Sequence, residues 1–257
     1  AGIIKPGVPV VSAASQPEAI RVLGETASAR KSTLYLLGRQ FREMPIEAGE
    51  GTQRFRFEGP FRAIGPLEIA MRGAHQRANA AVAVMTLEVL RQYYALILEE
   101  GVLEEGLLSA RWPGRLELVR ENPRVLLDGA HNPEGMAALA AALRESFRWR
   151  RLHLMIGALA NKNHIDMLRH ILPIADSLIV TEPDFRKKLD AGELARIAAG
   201  IPGCPADAVA EPDWRRALDM LIGRTGSEDL AVVSGSLYLI ADVRSSLLHD
   251  RDIEKGW

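Results

Sequence analysis

Cysteine is almost absent: Cys204 is the only one in 257 residues. That excludes an intrachain disulfide and a zinc site built on several thiolates. Aromatic residues are scarce, at 5%. No apolar run reaches the roughly 18 residues of a membrane span, and no secretory signal pattern opens the chain. An excess of one charge is missing as well. With 32 Lys and Arg against 33 Asp and Glu, net −1, no basic field points to nucleic acid. An anionic nucleotide has to be held by local groups. The expectation is a cytoplasmic protein with neither a nucleic-acid nor a membrane partner. Several catalytic motifs also fail. Gly24–Ser32 ends in Arg30-Lys31-Ser32 but lacks the second glycine of a phosphate-binding loop and falls at a helix end. Gly-x-Ser-x-Gly is absent, which removes the serine-hydrolase elbow. His153, His164 and His170 do not form a metal-ligand spacing, so no metal ligand is assigned. Lys187-Lys188 reads as a solvated face.

What is present is an ordinary globular composition, 47% hydrophobic and 25% charged, enough for a real core. Val8–Val11 reads as a buried strand, Pro17 to about Arg30 as an amphipathic helix and Leu34–Leu37 as a second strand, a β-α-β unit that favours parallel pairing. Over residues 39–72, Phe55 and Phe57 alternate with Arg54, Arg56 and Glu58, and Leu67 and Ile69 flank Glu68. Gly59-Pro60 and Gly65-Pro66 punctuate these runs, so the pattern predicts a small antiparallel piece. Helices are predicted from about His75 to Tyr94 and over Leu103–Ala110. Trp112-Pro113-Gly114 is a breaker and marks a domain boundary. Beyond it, strands at Val125–Leu127, Leu152–Ile156, Ser177–Val180 and Leu230–Val233 alternate with helical patterns at Pro133–Phe147, His164–Leu172, Ala191–Ala199 and Pro212–Ile222. A last helix starts near Ser236. This alternation predicts an open, mostly parallel α/β sheet with helices on both faces.

Four segments carry chemistry. Val125–Leu127 runs into Asp128-Gly129-Ala130-His131-Asn132-Pro133. An acid at a strand's carboxyl end lies where open α/β sheets bind ligands and can accept two hydrogen bonds from a ribose. His131 and Asn132 stand at the mouth of the next helix, whose free N–H groups favour anions; the plain alternative is that Asp128 or Asn132 caps that helix. Arg115 follows a Pro-Gly turn, where it forks onto a phosphate, stacks on a base or makes a surface ion pair. In Gly73–Ala81, His75, Gln76 and Asn79 share a helix face, and a side-chain amide suits an adenine edge or a packed helix. Ser234-Gly235-Ser236-Leu237-Tyr238 offers Ser236 and Tyr238 to a small carboxylate, or a serine cap with a packing tyrosine.

Taken together these segments resemble the folylpolyglutamate/dihydrofolate synthase family, within the Mur-ligase-like superfamily. Ala1–Val11 is similar to the family's Lys-Ala-Gly-Ile-hydrophobic-Lys-Pro segment, and Gly73–Ala80 to its Gly-x-His-Gln-x-x-Asn-Ala helix start. Pro113-Gly114-Arg115 resembles its interdomain arginine, Asp128–Pro133 its C-terminal signature and Ser234–Tyr238 its Gly-Ser-hydrophobic segment. The resemblance implies the end of a P-loop-type central ATPase domain over residues 1–112, then a Rossmann-like, mostly parallel α/β C-terminal domain over 113–257. It implies an ATP-dependent ligase. ATP phosphorylates a pteroate or folate carboxylate, and the amine of L-glutamate attacks the acyl phosphate to give an amide, ADP and phosphate. Asn79 then reads the adenine, Arg115 the phosphate side and Asp128 the ribose. His131, Ser236 and Tyr238 face the incoming glutamate. A monomer using ATP and Mg²⁺ is expected.

Departures from the family pattern carry expectations too. The family's P-loop, its Mg²⁺ ligands and its pterin loop lie upstream of the Ala1–Pro6 segment, as does a lysine that becomes carbamylated. The chain alone is therefore expected to be inactive. Asn161-Lys162-Asn163 stands where the family often has Asp-Lys-Asp. The competing readings are a sister Mur-type or cyanophycin-type amino-acid ligase, disfavoured by the Gly-x-His-Gln helix, and a non-catalytic nucleotide-binding fragment.

Overall fold

The computed structural model describes residues 1–46, 51–99 and 101–248. They form two compact units, Ala1–Arg111 and the part beginning at Trp112.

In the first unit, β1 (Val10–Ser12) pairs in parallel with β2 (Leu34–Leu36), and α1 (Pro17–Ala29) is the crossover between them. β3 (Arg42–Ile46), β4 (Gln53–Glu58) and β5 (Ala63–Ile69) form an antiparallel sheet in that order. Alternation turns Phe55, Phe57, Leu67 and Ile69 inward, where each is fully buried. α2 (Ala74–Tyr94) lays Ala81, Val84, Met85 and Val89 on them, and α3 (Val102–Ser109) follows. Two expectations change here. Val8 and Pro9 precede the first strand, which begins at Val10. Gly65-Pro66 does not end a strand but lies inside β5. β4 and β5 shift register at Phe55/Phe57, and proline is tolerated on an edge strand whose outer N–H needs no partner.

The second unit is a six-stranded sheet. β6 (Glu117–Glu121) and β7 (Arg124–Leu127) form a hairpin; β8 (Leu152–Ile156), β9 (Ser177–Val180), β10 (Val209–Ala210) and β11 (Leu230–Ser234) complete it. The order is β10-β9-β8-β11-β7-β6, parallel throughout except for the antiparallel edge β6. Alternate residues leave opposite faces. Leu126, Leu154, Leu178 and Val232 meet α4 (Pro133–Ser146), α5 (His164–Ile171) and α6 (Ala191–Ala199). Leu127, Met155, Ile179 and Val233 meet α7 (Trp214–Arg224) and α8 (Leu237–Leu248). Each such fully buried side chain contributes roughly 1.5–3 kcal/mol. Both edge strands went unpredicted. α7 starts two residues later than expected, because the Asp213 carboxylate caps it by accepting the N–H groups of Arg215 and Arg216. Among the described residues no helix is long and apolar enough to cross a membrane.

Strand order decides which loops meet. The chain steps outward from β7 through β8 and β9 to β10, then returns to insert β11 between β7 and β8. The loop after β11 therefore emerges between the loops after β7 and β8.

Candidate functional site

Asp128 follows the buried strand β7 and is itself 5% exposed. Its Oδ1 accepts the N–H of Ala130 at 2.9 Å and its Oδ2 the N–H of Leu116 at 3.0 Å. It does not cap α4; Asn132 does, with Oδ1 accepting the N–H of Gly135 at 2.7 Å, and Pro133 occupies the first helical position. Burial pushes the Asp128 carboxyl above its ordinary value, against the pull of the Ala130 and Leu116 N–H groups and the charges of Arg115 and His131.

The Asp128 contact to Leu116 ties this loop to the turn that carries Arg115. Gly114 donates its N–H to Glu117 Oε2 at 2.7 Å, and its carbonyl accepts the N–H of Gly129 at 2.8 Å. Arg244 of α8 donates Nε to both Glu117 oxygens at 2.9 Å. Arg115 is half-buried and makes no hydrogen bond through its side chain to any described residue. It lies over Gly129, where a Cβ would stand 3.0 Å from Arg115 Nη1 and 2.5 Å from Leu237 Cδ2. A methyl there would press on the ends of two flexible side chains and on no backbone atom.

His131 Nδ1 donates to the Gly129 carbonyl at 2.8 Å, so in the neutral ring Nε2 is an acceptor. The next strand end is locked to this loop: the Gly235 N–H and, at 3.3 Å, the Ser234 hydroxyl donate to the Ala130 carbonyl. Gly235 holds a φ of +100°, and a Cβ there would meet the Gly157 carbonyl at 2.6 Å. Ser236 is 2% exposed, and its Oγ accepts the N–H of Tyr238 at 3.2 Å.

His131, Ser236 and Tyr238 line one cavity of about 200 Å³ together with Leu159, Lys162, Gly235 and Leu237. The three residues expected to face one small ligand are thus brought together from two strand ends. Lys162, from the loop after β8, was not singled out as a site residue. It lies within Asn161-Lys162-Asn163, whose Asn163 caps α5. Phe185, from the loop after β9, was missed altogether: its ring stacks on Tyr238 with centroids 3.9 Å apart and planes 12° apart. The Asn161-Lys162-Asn163 segment already marked Lys162 by its place in the family pattern; nothing in a linear pattern marks Phe185, which strand order brings here. Lys188 is also not simply solvated: its Nζ pairs with the nearly buried Glu182 at 2.7 Å.

Asn79 belongs to the first unit. It is exposed on α2, and its Nδ2 donates to Gln76 Oε1 at 3.1 Å, which leaves its carbonyl oxygen and one N–H open. Among the described residues no three His, Cys, Asp or Glu side chains converge as a metal site. The cavity offers an ammonium, an imidazole and hydroxyls but no carboxylate. That donor set does not fit Mg²⁺, which takes carboxylate and phosphate oxygens.

Residues 114–237, which hold the parallel sheet, its antiparallel edge strand and the loop at its carboxyl edge, match the family described as Mur ligase, glutamate ligase domain. Over 254 residues the chain is 33% identical to a dihydrofolate synthase/folylpolyglutamate synthase of Bacillus subtilis, covering 96% of this chain and 56% of that protein. Over 249 residues it is 28% identical to a folylpolyglutamate synthase of Lacticaseibacillus casei, with the same coverage of 96% and 56%. A solved folylpolyglutamate synthase from Thermotoga maritima superposes with a TM-score of 0.75 at 33% identity, over 96% of this chain and 56% of that one. A Mycobacterium tuberculosis folylpolyglutamate synthase complexed with ADP superposes with a TM-score of 0.86 at 24% identity, over 94% and 55%, a likeness of fold alone. Over nearly its whole length the chain is similar to folylpolyglutamate and dihydrofolate synthases. It spans 56% of the length of the first two relatives.

Proposed function

We propose that this chain is the C-terminal portion of a cytoplasmic, monomeric, ATP-dependent ligase that joins L-glutamate to a pteroate or folate carboxylate. In that reaction the carboxylate takes the terminal phosphoryl group of ATP and ADP leaves. The glutamate amine then attacks the acyl carbon, loses a proton and expels phosphate. Residues 1–112 are read as the end of the central ATPase domain and 113–257 as the Mur-ligase-type C-terminal domain.

The observation that carries the reading is the cavity at the carboxyl edge of the second sheet. Its size suits a small amino acid. The Lys162 ammonium and the Ser236 and Tyr238 hydroxyls suit carboxylates, and His131 Nε2 suits an amine. On the nucleotide side, Arg115 is assigned to the phosphates and Asp128 to the ribose, each of its oxygens keeping a second lone pair. Asn79, in the first unit, is assigned to the adenine. Mg²⁺ and phosphate activation are assigned to the remainder of a longer protein. When bound, Mg²⁺ neutralises charge on the transferring phosphoryl group.

The test is ADP release by the full-length protein, coupled to incorporation of labelled L-glutamate, with dihydropteroate, tetrahydrofolate and UDP-muramoyl acceptors in parallel. Glutamate-dependent turnover on a pteroate or folate supports the reading. Turnover only on the muramoyl acceptor transfers the protein to a sister ligase, and no turnover on any acceptor overturns the ligase assignment.

A further inference from the structure

We infer that Phe185 is a positioning residue for Tyr238 and, through it, sets the width of the cavity at the carboxyl edge of the sheet. The inference rests on reading that cavity as the amino-acid subsite. Tyr238 stands at the start of α8, is 38% exposed, and has no side-chain hydrogen-bond partner among the described residues. An aromatic ring so placed exchanges rotamers unless a neighbour restricts it. Its restricting contact is the face of Phe185, stacked at 3.9 Å and 12°.

Phe185 is itself held on a fixed frame. Its N–H donates to Pro183 at 2.7 Å, and its carbonyl accepts the N–H of Lys188 at 3.0 Å. The Glu182 carboxylate accepts the N–H of Ala191 at 3.0 Å and pairs with Lys188 at 2.7 Å, closing the loop on itself. The loop is also zipped to its neighbour after β8: Ala160 donates to Lys187, and Leu189 to Ala158, both at 2.9 Å. That neighbour carries Lys162. The stack therefore joins the loops after β9 and β11 across the end of β8, which lies between those strands. Gly157, at that end, leaves no room for a side chain: a Cβ would meet the Thr181 carbonyl at 2.8 Å. The ring of Tyr238 is the movable wall of the cavity, and Phe185 is its stop.

The test compares wild type, Phe185→Ala and Phe185→Tyr in the full-length protein. A lost aromatic stack predicts an amino-acid KM raised about 3- to 10-fold in Phe185→Ala. The KM for ATP should stay within about twofold, and Phe185→Tyr, which restores the ring face, should return the amino-acid KM to near wild type. An unchanged amino-acid KM in Phe185→Ala overturns the inference, as does a parallel rise in both KM values that Phe185→Tyr fails to rescue. If wild type ligates no amino acid, the ligase reading falls and the Tyr238 ring-proton shifts decide. Ring-current shielding lost in Phe185→Ala and kept in Phe185→Tyr supports positioning; shifts identical in all three proteins overturn it.

Discussion

The Asp128 carboxylate accepts the backbone N–H of Leu116 at 3.0 Å, and Leu116 holds a φ of +46°. A leucine in the left-handed region costs about 1–2 kcal/mol. Leu116 is also buried, so its side chain gains what its backbone loses. The hydrogen bond that Leu116 donates to Asp128 keeps the turn in that conformation, and the residue just before Leu116 is Arg115. An acid at the end of β7 thus sets the backbone that presents a cation placed thirteen positions earlier. On the proposed reading, Asp128 would serve the nucleotide side through the placing of Arg115 as well as directly.

Asp128→Ala should therefore do two things. It strips partners from two buried N–H groups, at a cost of about 1–3 kcal/mol, and on the proposed reading it should raise the KM for ATP in the full-length protein. The stability effect has a pH signature. Burial raises the folded-state pKa of Asp128 above the ordinary 3.8, so the native state holds the proton more tightly than the unfolded chain does. The resulting contribution is complete below 3.8 and is lost as pH climbs through the raised value. The stability gap between wild type and Asp128→Ala, measured by urea denaturation, should narrow as pH rises from acid to neutral. A gap that widens over that range contradicts the buried-carboxylate account, and an unchanged ATP KM removes Asp128 from the nucleotide side.

Legibility in the sequence followed the range of the interaction. Val125–Leu127 and Leu230–Val233 announce themselves because a strand buried on both faces is apolar at every position. Phe55 and Phe57 announce β4 because one face is buried and the other wet. Edge strand β6 reads Glu-Leu-Val-Arg-Glu and is only half-buried, so its pattern is diluted. β10 has two residues and is held by β9 alone. The site divides in the same way. His131, Ser236 and Tyr238 flank glycine turns that follow apolar strands, a local signature. Lys162 sits in a segment with a family counterpart, but its meeting with His131 and Tyr238, like that of Phe185, follows from β11 inserting beside β8, a consequence of strand order that no local pattern encodes.

Gly129→Ala tests the close approach of the Arg115 turn to the Asp128 loop. The added methyl would lie 2.5 Å from Leu237 Cδ2 and 3.0 Å from Arg115 Nη1, so both side chains have to move. Both are the ends of flexible side chains, so the expected loss is about 1 kcal/mol or less, with a raised ATP KM on the proposed reading, because Arg115 is one of the displaced groups. Stability and ATP KM both at wild-type values would show that Arg115 does not need its seat over Gly129.

Ser177→Ala is the contrasting case at the amino ends of the strands. His153, 2% exposed on β8, bonds through Nδ1 to the Ser177 hydroxyl at 2.7 Å and through Nε2 to Asp229 at 3.4 Å. The serine, histidine and carboxylate stand in line like a hydrolase triad, but Ser177 is 1% exposed and no substrate reaches it. Removing the hydroxyl leaves one buried imidazole nitrogen without its partner, at a cost of about 1–3 kcal/mol. Both KM values should stay at wild type, since the loops that line the cavity lie at the opposite ends of these strands. A change in either KM at full folding would assign this network a functional role that its burial argues against.

Lys162→Met bears most directly on what the cavity binds. The substitution keeps an unbranched apolar stem and removes the terminal ammonium. A charge-assisted hydrogen bond to a carboxylate is worth about 1.5–3 kcal/mol, which corresponds to a rise of roughly 10- to 160-fold in the amino-acid KM. The KM for ATP should change far less. Ser236→Ala should move the same parameter by a smaller amount, because its hydroxyl is neutral and its Oγ already accepts the Tyr238 N–H. Lys162→Arg should retain part of the wild-type affinity, since it restores the charge with a different geometry. If Lys162→Met leaves the amino-acid KM unchanged, the ammonium is not the carboxylate's partner, and the cavity loses its only lining cation among the described residues.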